Sequence, residues 1–211
     1  MPTLKTAHAW YPSQDTVHNF DHILRVYRLA ERLAGAENAD LEIVRAAALL
    51  HDAVDPLAPE SERQTHQHAS AAFAGRVLVA EGWTPERVQA VQHCIRAHRF
   101  RDPSEPPQTI EAQVLFDADK LDAIGAIGAA RAIAYAVQAG QPFYAPPSAR
   151  FLEQGQTEPG EPHSAYHEYL FKLRRIQARL FTPTGRRLAA GRHATMQAYF
   201  EALVAELEGG S

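Results

Sequence analysis

The feature that most constrains this chain is a His-Asp pair at the end of an otherwise apolar segment, Arg45–Asp55. The alanines and leucines before the pair follow helical spacing and predict a buried helix. Because neighbouring helical positions point about 100° apart, His51 and Asp52 can border one crevice. An imidazole nitrogen and a carboxylate oxygen there suit a divalent metal. For this dipeptide alone a hydrogen-bonded core pair is the alternative, because a buried polar group needs only a partner.

The composition predicts one soluble domain spanning residues 1–211, since 45% of residues are hydrophobic and 22% are charged. A net charge of -4 gives no reason to expect a nucleic-acid surface, which normally shows clustered Lys and Arg. The single cysteine, Cys94, fits a reducing compartment. We find neither a signal-peptide pattern nor an apolar run of membrane-spanning length, so a cytoplasmic protein without membrane contact is expected.

Apolar periodicity predicts an all-α fold, because no segment has the alternating pattern of a strand. Gly35 should end the first helix and Asp40 should cap the second. Residues 1–14 are predicted to be irregular, and 141–162 to be a flap or partly disordered. Helices are expected at about 16–33, 41–53, 65–81, 85–98, 117–140, 163–181 and 183–207.

The chain contains 11 histidines, and most lie in its N-terminal half. His18 and His22 are four positions apart and share one helical stripe. His22 is the better metal-ligand candidate, whereas bordering the core is an equal alternative for His18. His93 and His98 are five positions apart, about 140° around a helix, so one helix cannot aim both at one point. We favour His98, which lies at a helix end.

A second unusual stretch is the run from Asp117 to Asp122, which leads into an apolar segment rich in alanine and glycine. Carboxylates beside a buried helix are costly unless another charge balances them, and a metal ion would do so. Asp119 and Asp122 share a helix face. Asp117 points about 200° away from Asp119, so it is expected to cap the helix or point elsewhere. The alternative for Asp119 is a salt bridge to Lys120 or an arginine.

Three separate segments therefore supply a candidate ligand set of two imidazoles and two carboxylates. This set suits Mn, Fe, Co, Ni or Zn, and it suits Mg less well because Mg prefers oxygen ligands. A cation held this way lowers the pKa of bound water and offsets charge on a phosphoryl oxygen. These residues predict hydrolytic chemistry, and the ligands are His22, His51, Asp52 and Asp119.

In the order of these residues the chain resembles the HD-domain superfamily of metal-dependent phosphohydrolases, which are all-helical. It is most similar to a branch of small stand-alone bacterial proteins that includes nucleotide pyrophosphohydrolases. The resemblance covers nearly the whole chain. The motifs that carry it are His18-x-x-x-His22-x-x-Arg25-Val26, Ala48-x-x-His51-Asp52, Ile95-x-x-His98, the run from Asp117 to Gly128, His167 to Ile176, and Arg192-His193-x-x-Met196.

The resemblance implies a single-domain HD fold, with a metal-site core at about 15–140 and C-terminal helices at about 163–208 packed on it. It implies the ligand set already given, a preference for Mn, and hydrolysis of nucleoside triphosphates to the monophosphate and pyrophosphate. Asp55 matches an acidic residue that positions water or protonates the leaving group, although it is shorter than the usual Glu. The other implied catalytic residues are Lys120 and His18, and the implied substrate contacts are Arg63, His98, Arg25 and Asp122.

Two other functions fit the same ligands. A mixed-valent di-iron oxygenase would use Asp52 to bridge two irons, and a non-catalytic sensor would bind a nucleotide without turning it over. A second metal needs further histidines at set places, and the available ones do not reproduce that pattern: His66, His68, His93 and His98. The expected partner is a nucleotide or another phosphate substrate, and both a monomer and a homodimer remain open.

Overall fold

The computed structural model describes residues 2–11, 20–53, 66–99 and 105–210, and for His66 it describes the backbone alone. No strand occurs in these ranges, which confirms the all-α prediction. Short 3₁₀ helices occupy His8–Trp10, Leu173–Arg175 and Gln177–Arg179. The α-helices of the described residues are α1 (Leu4–Ala7), α2 (Phe20–Glu37), α3 (Leu41–Leu50), α4 (His66–Ala80), α5 (Pro85–Ala97), α6 (Ile110–Asp122), α7 (Gly125–Gln138), α8 (Ala149–Gln154), α9 (Ala165–Phe171) and α10 (Pro183–Leu207).

The chain divides into two compact units. The first, called the N-terminal unit below, comprises Met1–Asp119 and Leu180–Gly185. The second, called the C-terminal unit, comprises Lys120–Arg179 and Arg186–Ser211. No helix of the described ranges has both the length and the apolar character needed to cross a bilayer.

The core of the N-terminal unit is built from helices whose apolar positions recur at helical spacing. In α2 the completely buried stripe is Ile23, Val26, Ala30 and Leu33. In α3 the small residues Ala46–Ala48 are all fully buried, so this helix is covered on nearly every side. Asp40 caps α3 as predicted, because its side chain accepts hydrogen bonds from the backbone N–H groups of Glu42 and Ile43.

Several predicted helix ends are wrong. Helix α2 continues through Gly35 to Glu37 and is followed by Asn38 at a φ of 56°. Asparagine tolerates this left-handed conformation better than most residues, so Asn38 supplies the ending that was assigned to Gly35. The N-terminal lead-in, predicted to be irregular, contains α1 and a 3₁₀ turn.

The predicted helix from 117 to 140 is in fact two helices. The chain breaks at Ala123 and Ile124, and α7 begins at Gly125 with a φ of +82°. Glycine adopts this φ without steric cost, and a Cβ here would also lie 3.1 Å from Arg192 Cβ. The acidic run therefore forms the last turns of α6, not the start of a longer helix.

The C-terminal unit also differs from its prediction. Helix α8 lies inside the segment 141–162 that was expected to lack regular structure. The single helix predicted at 163–181 is α9, which stops at Phe171, followed by two short 3₁₀ helices. The last predicted helix is confirmed, because α10 runs from Pro183 to Leu207.

Candidate metal centre

The candidate site begins at the turn that follows α3. His51 is completely buried, and its Nδ1 lies 2.9 Å from the carbonyl oxygen of Ala48. A carbonyl only accepts hydrogen bonds, so Nδ1 carries the proton and Nε2 is left with a lone pair. That Nε2 is buried without a hydrogen-bond partner. An orphaned acceptor of this kind is what a metal-binding imidazole presents.

Two residues that the sequence analysis did not select hold this turn in place. The Tyr11 hydroxyl donates a hydrogen bond of 2.8 Å to the carbonyl of Leu49, at the end of α3. The Ser70 hydroxyl, on α4, donates one of 2.9 Å to the carbonyl of Ala53. Both side chains are buried. A tyrosine and a serine isolated in sequence carry no spacing signal, so only the fold identifies them.

Helices α2 and α6 bring two further ligand candidates to the turn. His22, buried on α2, has its Nε2 at 3.5 Å from Asp119 Oδ1 on α6. His22, His51 and Asp119 each offer one ligand atom, and these three atoms all lie within 4.8 Å of one another. The centroids of the His22 and His51 imidazole rings are 5.6 Å apart. Residues distant in sequence thus converge on one point.

Asp52, the fourth ligand candidate, lies beside two of these residues. Its Oδ2 is 3.7 Å from His22 Nε2 and 3.5 Å from His51 Nε2. Ligand atoms around an ion with bonds of about 2.1 Å are separated by about 3 to 4 Å, so these spacings fit a shared cation. The lone pair on His51 Nε2 faces a carboxylate oxygen, and a cation between them removes the repulsion between two acceptors.

His98 lies beside this cluster, as the helix-end argument predicted. Its Nδ1 donates to the carbonyl of Ile95 at 2.5 Å, and its Nε2 lies 3.6 Å from Asp52 Oδ1. Its ring centroid is 5.2 Å from that of His51. Asp52 therefore presents one oxygen to His22 and His51 and the other to His98. His93, the alternative on the same helix, instead pairs with Glu105 at 2.6 Å.

Burial sets the protonation state of the central histidine. Removal from water lowers the pKa of His51 to about 4, and the nearby Asp52 opposes this shift only in part. His51 is consequently neutral at pH 7. A neutral imidazole with Nδ1 protonated is the form that can donate its Nε2 lone pair to a metal.

The remaining predicted site residues lie in different environments. Arg25 is half-buried on α2, three positions after His22, and Lys120 is half-buried directly after Asp119. Asp122 was expected to contact substrate, but its carboxylate is buried and accepts a hydrogen bond of 2.7 Å from Arg131 Nη1. This pairing accounts for the burial of the Asp122 carboxylate, and its substrate contact stays a prediction. Three predicted residues lie outside the described residues: His18, Asp55 and Arg63.

Comparison with known proteins leads to the same family as the motifs of the sequence. A model of the HD domain matches residues 19–124, which include all four ligand candidates. The chain is 34% identical over 195 residues to the uncharacterized protein YpgQ of Bacillus subtilis, covering 91% of this chain and 85% of YpgQ.

Solved structures that are similar to this chain support the same family. The crystal structure of Bacillus subtilis YpgQ in complex with ADP has a TM-score of 0.72 at 35% identity, with 95% of this chain and 96% of that chain covered. A predicted HD superfamily hydrolase from an uncultured Thermotogales bacterium has a TM-score of 0.64 at 25% identity, with coverage of 97% and 90%. The chain belongs to the HD-domain family.

Proposed function

We propose that this protein is a divalent-metal-dependent phosphohydrolase that acts on nucleotides. The observation that carries the proposal is the buried, unpartnered Nε2 of His51, which faces a carboxylate oxygen 3.5 Å away. Any cation placed between these two acceptors would remove their repulsion. Only a divalent metal cation would also bind all the other donor atoms of the cluster. The proposed ligands are His22, His51, Asp52 and Asp119, with Mn as the preferred ion.

A bound divalent cation would supply Lewis acidity to a phosphoryl oxygen and lower the pKa of a coordinated water. The chain's own contribution is to hold the donors rigidly, because His51 is fixed through Ala48 and its turn through Tyr11. His98 lies at the edge of the cluster, where we propose that it contacts substrate. Arg25 and Lys120 are proposed to offset phosphate charge.

The substrate class rests on two observations. The family resemblance includes nucleotide pyrophosphohydrolases, and the relative YpgQ has been crystallised with ADP. We propose nucleoside triphosphates as substrates, including deoxynucleotides, with cleavage to the monophosphate and pyrophosphate. Asp55, Arg63 and His18 keep their predicted roles within this proposal.

The test is a substrate panel on protein of defined metal content. The chain is stripped with chelator and refilled separately with Mn, Mg, Co, Ni, Fe or Zn. It is then assayed against ribo- and deoxynucleoside mono-, di- and triphosphates, with phosphate and pyrophosphate measured separately. We expect pyrophosphate release from triphosphates, fastest with Mn.

Asp119→Asn is expected to lower metal content and to reduce turnover at least a hundredfold, because an amide replaces a charged ligand. The matched control is His163→Ala, which removes a histidine whose side chain is 47% exposed. This control should keep wild-type metal content and rate. Stoichiometric metal with no hydrolysis of any panel member would contradict the proposed activity and favour a nucleotide sensor.

One observation favours a second candidate, the di-iron oxygenase. Asp52 directs Oδ2 towards His22 and His51 and Oδ1 towards His98, as a carboxylate bridging two ions would do. Elemental analysis separates the two functions. The phosphohydrolase proposal expects one metal per chain, whereas two irons per chain with a mixed-valent EPR signal would support the oxygenase.

A further inference from the structure

Helix α6 is fixed at a second point, on the side away from the candidate metal centre. Asp117 is completely buried within this helix. Its Oδ1 accepts a hydrogen bond of 2.9 Å from the backbone N–H of Phe181. Its Oδ2 accepts two more from Thr182, at 2.8 Å from the backbone N–H and 2.7 Å from the hydroxyl. Three donors thus converge on one buried carboxylate.

The donors come from the start of α10. The Thr182 hydroxyl, which donates to Asp117, also accepts from the backbone N–H of Gly185 at 3.0 Å and so caps the helix. Pro183 occupies the first helical position. A Cβ on Gly185 would lie 2.3 Å from Asp117 Oδ2 and 2.7 Å from Thr182 Oγ1. Only glycine allows the chain to approach Asp117 so closely.

Asp117 and Asp119 are two positions apart on α6, so they point about 200° apart around its axis. A side chain at the helix surface lies about 5 to 6 Å from the axis, and a rotation of 10° moves it by about 1 Å. Metal ligands have to stay within about 0.5 Å of their productive position. A small rotation of α6 would therefore displace Asp119 from His22, which is 3.5 Å away.

We propose that Asp117 is a positioning residue for the metal centre. Its hydrogen bonds to Phe181 and Thr182 fix the rotation of α6 and thereby aim Asp119 at His22. This inference rests on the proposed metal site. It extends that site's requirements to Leu180–Gly185, a segment outside the residues matched by the family model.

The same segment provides a matched control. The backbone N–H of Thr184 donates to Glu37 Oε1 at 2.8 Å, at the C-terminal end of α2. Glu37 is fifteen positions after His22, about 22 Å along the helix. Glu37→Ala removes this acceptor and therefore perturbs the same segment without rotating a ligand.

The experiment uses the full chain, freed of metal and titrated with Mn²⁺ in the absence of nucleotide. Free Mn²⁺ is followed by EPR, and melting is followed by circular dichroism. Asp117→Asn and the milder Thr182→Val are expected to weaken Mn²⁺ affinity about tenfold and to change the EPR spectrum of bound Mn²⁺. Glu37→Ala should lower the melting temperature yet keep affinity within twofold of wild type. Thr182→Ser, which keeps the hydroxyl, should restore wild-type binding.

The inference is wrong if Thr182→Val lowers the melting temperature as Glu37→Ala does but binds Mn²⁺ with wild-type affinity and an unchanged spectrum. Saturated with Mn²⁺, both Asp117→Asn and Thr182→Val should lose kcat with little change in KM. A wild-type chain that binds no Mn²⁺ would instead overturn the metal site itself. The two failures are thus distinguished by the wild-type titration.

Discussion

Tyr11 shows how a single hydroxyl supports the site. It donates to the carbonyl of Leu49, two residues before the His-Asp pair, and it is buried. Tyr11→Phe leaves that buried carbonyl without the hydroxyl, at a cost of about 1 to 2 kcal/mol in unfolding free energy. We expect a loss of this size in urea denaturation and severalfold weaker Mn²⁺ binding. Tyr199→Phe, at a tyrosine that is 41% exposed, is the control. Equal stability of the two variants would contradict this account of Tyr11.

A substitution of Asp122 can show whether this residue stabilises the fold or contacts substrate. Its buried carboxylate pairs with Arg131, which is 23% exposed. Breaking this pair with Asp122→Asn is expected to cost up to about 3 kcal/mol, the lower end for buried pairs because Arg131 still reaches water. Turnover per folded molecule should remain close to wild type. If KM for the nucleotide instead rises tenfold at unchanged stability, Asp122 contacts substrate.

At this scale the sequence selected His22, His51, Asp52 and Asp119 as ligand candidates, because histidines and carboxylates are conspicuous on apolar helices. The helical angle showed that His93 and His98 cannot both reach one point, and the position of His98 at a helix end favoured His98. The sequence did not identify Tyr11, whose role depends on a contact 38 positions away. The partner of Asp122 was missed for a related reason, since spacing alone does not show which of several arginines approaches a carboxylate.

Among the elements, the segment before α9 is held by one carboxylate. Glu161 accepts from the backbone N–H groups of Glu158 and Ser148, and from the Ser148 hydroxyl and His167 Nε2. The Ser164 hydroxyl lies 2.7 Å from His167 Nδ1. The Nε2–H of His167 donates to Glu161, because a carboxylate only accepts. This network explains why a stretch rich in proline and glycine is ordered.

The network predicts an acid-sensitive contribution to stability. Hydrogen bonds from backbone N–H groups lower the pKa of Glu161 from an ordinary value of 4.5 to about 2, and the one from Glu158 contributes most. Because the folded pKa is the lower one, the contribution is complete above pH 4.5 and is lost as the pH falls through 2. Glu161→Gln should therefore melt below wild type at pH 7, and the difference should shrink towards pH 2. A difference that does not change with pH would contradict the assignment.

Helix ends were predicted less well than helices, for an identifiable reason. Gly35 looked like a stop, yet Asn38 takes the left-handed conformation and α2 continues to Glu37. Gly125 and its neighbours looked like a continuous small-residue helix, although Gly125 begins a new one. Glycine permits both a helix interior and a left-handed turn. The choice is made by tertiary neighbours such as Arg192, which local sequence does not reveal.

At the scale of the whole molecule, only one of the two compact units contains the candidate ligands of the proposed ion. All four ligand candidates belong to the N-terminal unit, and so do Tyr11 and Asp117. No sequence pattern indicates that Leu180–Gly185 joins this unit, because it follows 60 residues of the other one. Apolar periodicity therefore predicted the all-α fold class correctly but could not predict this return of the chain.

Removal of the metal should therefore destabilise the N-terminal unit more than the C-terminal unit. Mn²⁺ at a hundred times its dissociation constant stabilises the protein that binds it by about 2.7 kcal/mol. For a chain of this size that corresponds to a rise of about 5 to 10 °C in melting temperature, reversed by EDTA. Hydrogen exchange should show new protection in α2, α6 and the end of α3, and little in α8 and α9. Asp119→Asn should abolish both effects. Equal stabilisation of that variant, or protection confined to the C-terminal unit, would show that Mn²⁺ binds elsewhere.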